Sequence, residues 1–116
     1  MAMLDFGGKP FSVSATGGAP ISEMVDVGLY FANMTLVLKL ITFQGASASF
    51  QVSMETSMDP KGNDWVSLGS FATLTSAGAL DHETFTGLLR YVRWNVTSLG
   101  SATQAVFMLS GVARNA

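Results

Sequence analysis

SFQVSMETSMDPKGNDWVSLGS, residues 49–70, reads as a strand, a polar turn and a second strand. On the first arm Phe50, Val52 and Met54 alternate with Gln51, Ser53 and Glu55. That is the two-residue period of a strand with one buried and one wet face. The middle, Asp59-Pro60-Lys61-Gly62-Asn63-Asp64, is dense in turn formers. Proline presets φ, glycine takes φ > 0, and Asp or Asn side chains bond nearby backbone. The second arm resumes with Trp65, Val66 and Leu68 and stops at Gly69. The remaining strands are expected to lie against this hairpin.

Upstream, Met34 to Gln44 (MTLVLKLITFQ) is rich in β-branched and large apolar residues. It predicts a central strand buried on both faces for much of its length, with Lys39 at a rim or subunit contact. Gly45-Ala46-Ser47 is expected to turn the chain into the hairpin. Ile21 to Val27 alternates loosely and predicts a strand, and Gly28 to Asn33 a corner. Downstream, Phe71 to Leu74 leads into a loop at Thr75-Ser76-Ala77-Gly78, and the polar LDHETFT of residues 80–86 predicts an edge strand or a crossing loop. Leu88 to Ser98 predicts a strand with Val92, Trp94 and Val96 on one face and Tyr91, Arg93, Asn95 and Thr97 on the other. Leu99-Gly100-Ser101-Ala102 predicts a turn, and Thr103 to Ala113 a last strand that opposes Ala105, Phe107 and Leu109 to Val106, Met108 and Ser110. No segment longer than a turn or two has helical apolar spacing. Six to eight short strands with Gly/Ser turns between them predict an antiparallel β-sandwich over residues 21–116. Residues 1–20 carry Gly7, Gly8, Pro10, Gly17, Gly18 and Pro20 yet also Leu4, Phe6, Phe11 and Val13. They read either as an extended N-terminal arm docking on the domain or a neighbour, or as a frayed terminus with one edge strand over Phe11 to Ala15.

Composition bounds the function. The 116 residues suffice for one domain with a real core. Only 12% are charged, where soluble domains average about 25%. Fourteen charged side chains, six basic and eight acidic, are few for coating a monomer, so part of the surface is expected to be covered by other subunits. The net charge of −2 and the scattered basic residues argue against direct nucleic-acid binding. No cysteine is present, which removes disulfides and thiolate metal sites. The start lacks a basic segment followed by an apolar one, so no secretory signal is expected. The apolar run from Thr35 to Phe43 is too short to span a bilayer.

Candidate sites are sparse. Asp59, Asn63 and Asp64 offer oxygen ligands of the kind Ca²⁺ takes, but without the spacing of a calcium hand, and a turn held by side-chain-to-backbone bonds is favoured. His82, the only histidine, lies between Asp81 and Glu83. Strand neighbours point to opposite faces, so the three are not expected to converge on a metal. No G-x-S-x-G elbow occurs, and nothing positions Glu55 and Asp64 as a glycosidase pair. No enzymatic activity and no cofactor are expected. Trp65, Trp94, Tyr91 and Tyr30 could stack on sugars. Core packing is favoured for Trp65 and Trp94, while Tyr91, sharing a face with Arg93, is the better contact residue. The triplets Asn33-Met34-Thr35 and Asn95-Val96-Thr97 match the glycosylation pattern and carry little weight without a signal.

Glu55-Thr56-Ser57, Asp59, Gly62, Trp65 and Leu68-Gly69, followed by Arg90-Tyr91-Val92-Arg93, Val96 and Leu109-Ser110-Gly111, form a pattern. It resembles the small jelly-roll proteins of tailed-phage virions and prophages, which coat or trim the capsid or tail. The likeness covers roughly residues 45 to 112. Carbohydrate-binding sandwiches of the discoidin type share the hairpin and the RYVR strand, and this chain departs from the pattern by placing Pro60-Lys61 before the glycine, which lengthens the turn. The resemblance implies a jelly-roll-like sandwich, and the N-terminal forty residues, with the extended arm read above, lie outside it. It implies a virion structural role, as decoration, cement or minor head or tail component, assembled in the host cytoplasm. The partners would be the chain itself and other virion proteins. The alternative is a module for binding cell-surface glycan. The expected interface or ligand contacts are Phe6, Phe11, Lys39, Asp59, Asn63, Tyr91 and Arg93.

Overall fold

Two strands longer than the molecule build the fold. In the computed structural model, which describes residues 2–4, 6, 9–20, 23–28, 31–59, 61 and 64–115, β5 spans Asn33–Ser57 and β8 spans Tyr91–Arg114. Laid straight, each would run about 80 Å at a strand's rise of ~3.3 Å per residue, whereas the longest dimension of the protein is 42 Å. Both strands therefore bend. Trp94 and Phe107, both on β8, would be about 40 Å apart on a straight strand, yet their ring centroids are 5.2 Å apart. Phe50 of β5 also meets Phe107 at 5.2 Å.

The described residues form one continuous hydrogen-bonded sheet that folds on itself into an all-β antiparallel sandwich. Six shorter strands join the long pair: β1 (Ala2–Leu4), β2 (Phe11–Val13), β3 (Gly17–Gly18), β4 (Val25–Asp26), β6 (Val66–Ser70) and β7 (Leu80–Thr86). In the first layer β1 and β2 flank the C-terminal half of β8, which pairs with the N-terminal half of β5, which pairs with β7. In the second, β3 and β4 flank the N-terminal half of β8, which pairs with the C-terminal half of β5, which pairs with β6. The hairpin of residues 49–70 is present, with Ser53 opposite Ser70 and Thr56 opposite Val66.

Two expected turns are instead corners within continuous strands. Gly45 lies opposite Ala102, and Ala48 opposite Gly100, with register shifts on either side. Gly45 has φ 117° and Gly100 φ 64°, conformations open to glycine at little cost. Each is pressed on the other strand: a Cβ on Gly45 would sit 2.6 Å from the Ser101 carbonyl oxygen, and one on Gly100 2.6 Å from the Ser49 nitrogen. Extra strand residues bend and twist a ladder without ending it, which is why Gly/Ser signals here mark bends. The 34–44 stretch also differs from expectation. Met34, Leu36, Leu38 and Leu40 are fully buried, but Thr35, Val37, Lys39 and Ile41 face outward. The strand covers one side of a sandwich, so only one of its faces meets the core.

Residues 1–20, read as an arm or an edge strand, contribute β1, β2 and β3 along the outer edge of their own β8. The accessible surface, 5874 Å², is close to the roughly 6,100 Å² expected for a monomer of this mass. Phe11 tilts against Trp94 and Phe107 at 5.4 Å. Phe50, Phe71, Phe107, Met54 and Leu109 complete the centre of the core. Fully burying one such side chain stabilises by about 1.5–3 kcal/mol. The indole N–H of Trp94 is buried without a partner among the described residues, a cost of about 1–3 kcal/mol set against the burial of the whole ring.

The corner yields a differential prediction. Gly100→Ala forces a side chain into both a left-handed φ and neighbouring backbone, and should lower stability by at least about 3 kcal/mol. Gly78→Ala, at φ 85° but with open space around it, should cost only about 1 kcal/mol. Equal shifts in urea midpoint for the two variants would remove the corner's special role.

Candidate functional site

The two outer faces of the sandwich differ in chemistry. On the second layer, Arg93 lies directly opposite Glu55 and its Nε donates to Glu55 Oε1 at 2.7 Å. Asn95 Nδ2 donates to the other carboxylate oxygen at 3.3 Å. The Arg93 guanidinium stands 4.3 Å from the centre of the Trp65 ring. On its other side is Gly18, where a Cβ would come within 2.7 Å of Cζ. Trp65 is therefore half-buried on the outside, under a cation, and not in the core as expected. A cation over an indole face contributes about 0.5–2 kcal/mol. Tyr91, on the same face, has the Arg90 guanidinium 5.2 Å from its ring centre. Of the four candidate stacking rings, Trp65 and Tyr91 thus each have an arginine of the same chain over them, Trp94 is in the core, and Tyr30 lies outside the described residues. None of the well-exposed large apolar residues described is aromatic.

The hairpin end is built as a turn. Lys61 N–H donates to Asp59 Oδ1 at 3.0 Å, and Asp59 N–H to Ser57 Oγ at 3.1 Å. These are the side-chain-to-backbone bonds that stabilise such loops. Asn63 lies outside the described residues. At the root, buried Thr56 accepts from Leu89 N–H and donates to the Tyr91 carbonyl, both at 2.8 Å, which ties the hairpin to the start of β8. Met58 and Val66 are left 53% and 56% exposed beside the turn.

On the first layer the outward face carries an apolar patch among hydroxyl and basic side chains. Lys39 lies opposite Leu80 of β7 and Met108 of β8, and Val37 opposite His82 and Ser110. Leu80 is 61% exposed and Val37 38%. The charged or ionisable residues described on this face of β5, β7 and β8 are Lys39, His82 and Arg114, whose Nη2 donates to Thr35 Oγ1. Asp81 and Glu83 fall on the opposite side of β7, in step with buried Phe85, and Asp81 Oδ2 accepts the Ala72 N–H at 2.8 Å. His82 and its two acidic neighbours therefore diverge. No group of three metal-ligating side chains occurs among the described residues, and no helix there is long and apolar enough to cross a membrane.

Of the expected contact residues, Lys39 is exposed, and Tyr91 and Arg93 are half-buried within intramolecular pairs. Phe6 and Phe11 are each 3% exposed and belong to the core of their own sandwich. Phe6 takes φ 47°, uncommon for an aromatic residue. Glu55, Asn95 and Gly18 were not singled out as contacts. The alternation placed Glu55 and Asn95 on wet faces, but only strand register puts them beside Arg93. No family model matches this sequence, and no curated protein is similar to it.

Two charge pairs give predictions. Glu55 and Arg93 are only 15% and 21% exposed, so Glu55→Gln, which weakens a charge-assisted bond, should destabilise by about 1–2 kcal/mol and change Trp65 fluorescence. Unaltered emission would contradict the stacked geometry. Asp26 is exposed and pairs with Arg90 at 3.3 Å. The hydrogen bond from Arg90, then that from Gly28 N–H, hold its carboxyl below the ordinary range. A lowered folded value means this contribution is present above the ordinary Asp range, near pH ~4, and is lost as pH falls through the folded value. Asp26→Asn should therefore flatten the acid limb of the stability curve below about pH 4, slightly, because water screens the pair. A steeper limb in the variant would contradict the pairing.

Proposed function

We propose that this protein is a structural subunit of a virion of the tailed-phage type. It works by packing against copies of itself and against other virion proteins, with no chemical step. The observation that carries the reading is the outward face of the first layer, where Val37, Leu80 and Met108 surround Lys39 in place of the mixed charges that normally coat a sandwich. The layer order supports it. With the halves of β5 and β8 counted as separate strands, we read the winding as a jelly roll, two layers wound from one long antiparallel pair. The likeness of the RYVR strand and its hairpin to virion jelly rolls points the same way.

Among the described residues, the rings of Trp65 and Tyr91 each have an arginine of the same chain over them, which weighs for assembly over glycan recognition. Association of this kind needs about 800 Å² per partner, with apolar burial contributing about 25 cal/mol per Å² before the cost of association. The subunit would be made in the host cytoplasm and end in the particle.

Size exclusion with light scattering should give a mass that rises with concentration above the 12.2 kDa of one chain. The double variant Val37→Ser, Leu80→Ser should shift that equilibrium toward monomer and change stability by no more than about 1 kcal/mol, since both sites are on the surface. A wild-type chain that stays single through millimolar concentration defeats the assembly reading.

A further inference from the structure

We infer that the contact between copies is head-to-tail: the hairpin end of one chain seats on the apolar patch around Lys39, on the outer face of the first layer, of the next. This rests on the assembly reading above and names its surface and occupant. The well-exposed large apolar residues described fall into two pairs. Val37 and Leu80 lie on the first layer around Lys39, and Met58 and Val66 lie at the hairpin end in the second layer. The two pairs have opposite electrostatic surroundings. The first is accompanied by Lys39 and His82, with Arg114 farther along opposite Asn33, and by no carboxylate on the same face of β5, β7 and β8. The second is flanked by the exposed carboxylates Asp59 and Asp64 against the single ammonium of Lys61. Apolar-with-basic thus meets apolar-with-acidic.

Self-packing of either surface about a two-fold axis is disfavoured. It would oppose Lys39 to its own copy on the first layer, or carboxylates to carboxylates at the hairpin, and like charges across an interface are repelled. A heterologous contact avoids both and repeats from copy to copy, which generates rings or lattices and not closed dimers. Two of the sheet edges support the same choice. The free edge of β7 has Asp81 and Glu83 on its core-facing side, a device that blunts strand-to-strand addition. The outer edge of β8 is already taken by β1 to β4.

The test is a charge swap read by sedimentation and light scattering, with melting curves to verify folding. Lys39→Glu and Asp64→Lys should each weaken association by ~10-fold or more, and an equimolar mixture of the two variants should pair across the restored Glu–Lys contact. The chain has no cysteine, so a second measurement needs no background correction. Leu80→Cys and Met58→Cys proteins, mixed and oxidised with copper phenanthroline, should cross-link to each other in preference to themselves. If the wild-type chain assembles but neither swap alters it, or if Leu80→Cys links to itself as readily as to Met58→Cys, the head-to-tail contact is wrong and assembly stands. If the wild-type chain never assembles, both fall together.

Discussion

Two neighbouring strands that share a hydrogen-bond ladder along their whole length must turn together. If β5 bent alone, the ladder to β8 would break and leave unpaired N–H and C=O groups at the centre of the fold, each costing about as much as a lost hydrogen bond. The corner meets this by placing Gly45 against the Ser101–Ala102 backbone and Gly100 against that of Ser49. Each chain passes where a methyl group would collide. Once the pair folds over, its two inner faces are brought together, so Phe50 reaches Phe107 and Trp94 reaches Phe107 without any connection outside the strands themselves. A similar close approach recurs far from the corner, where a Cβ on Gly111 would lie 2.0 Å from the Thr35 carbonyl oxygen. The long pair is thus seated through small residues at both places.

The rest of the chain fits around that pair. The N-terminal segments follow the outer edge of β8 through its bend, with β1 and β2 on one layer and β3 and β4 on the other. Phe11 enters the ring cluster from this edge, so residues that looked available for a neighbour close the chain's own core. The hairpin and β7 cover the opposite edges. The outer faces then diverge. On the second layer the polar side chains satisfy one another, Glu55 with Arg93 and Asn95, and Arg93 with Trp65. On the first, Thr35 pairs with Thr84 and Arg114 at one end, while Val37, Leu80 and Met108 around Lys39 stay open to solvent or partly so.

Much of this was legible in the order of residues. Alternation identified the buried set on three stretches: Phe50, Val52 and Met54; Val92, Trp94 and Val96; Ala105, Phe107 and Leu109. It did so because a strand's side-chain period is two whatever the neighbours are. The hairpin was marked by its turn residues, and the shortage of charge was plain from composition. Trp65 was not legible. Its apolar neighbours suggested the core, but it precedes β6 and meets Arg93 on the outside, which depends on strand register.

The amino-acid order by itself therefore determined an all-β chain and most of its inward and outward positions. Those properties follow from local geometry and residue chemistry. The tertiary structure alone decided that residues 45–47 and 99–102 are corners within unbroken strands, that the N-terminal phenylalanines close their own core, and that the apolar–basic and apolar–acidic patches lie on different layers. Each of these depends on which strand lies beside which. Residues dozens of positions apart set that pairing through a shared ladder, which no local pattern records.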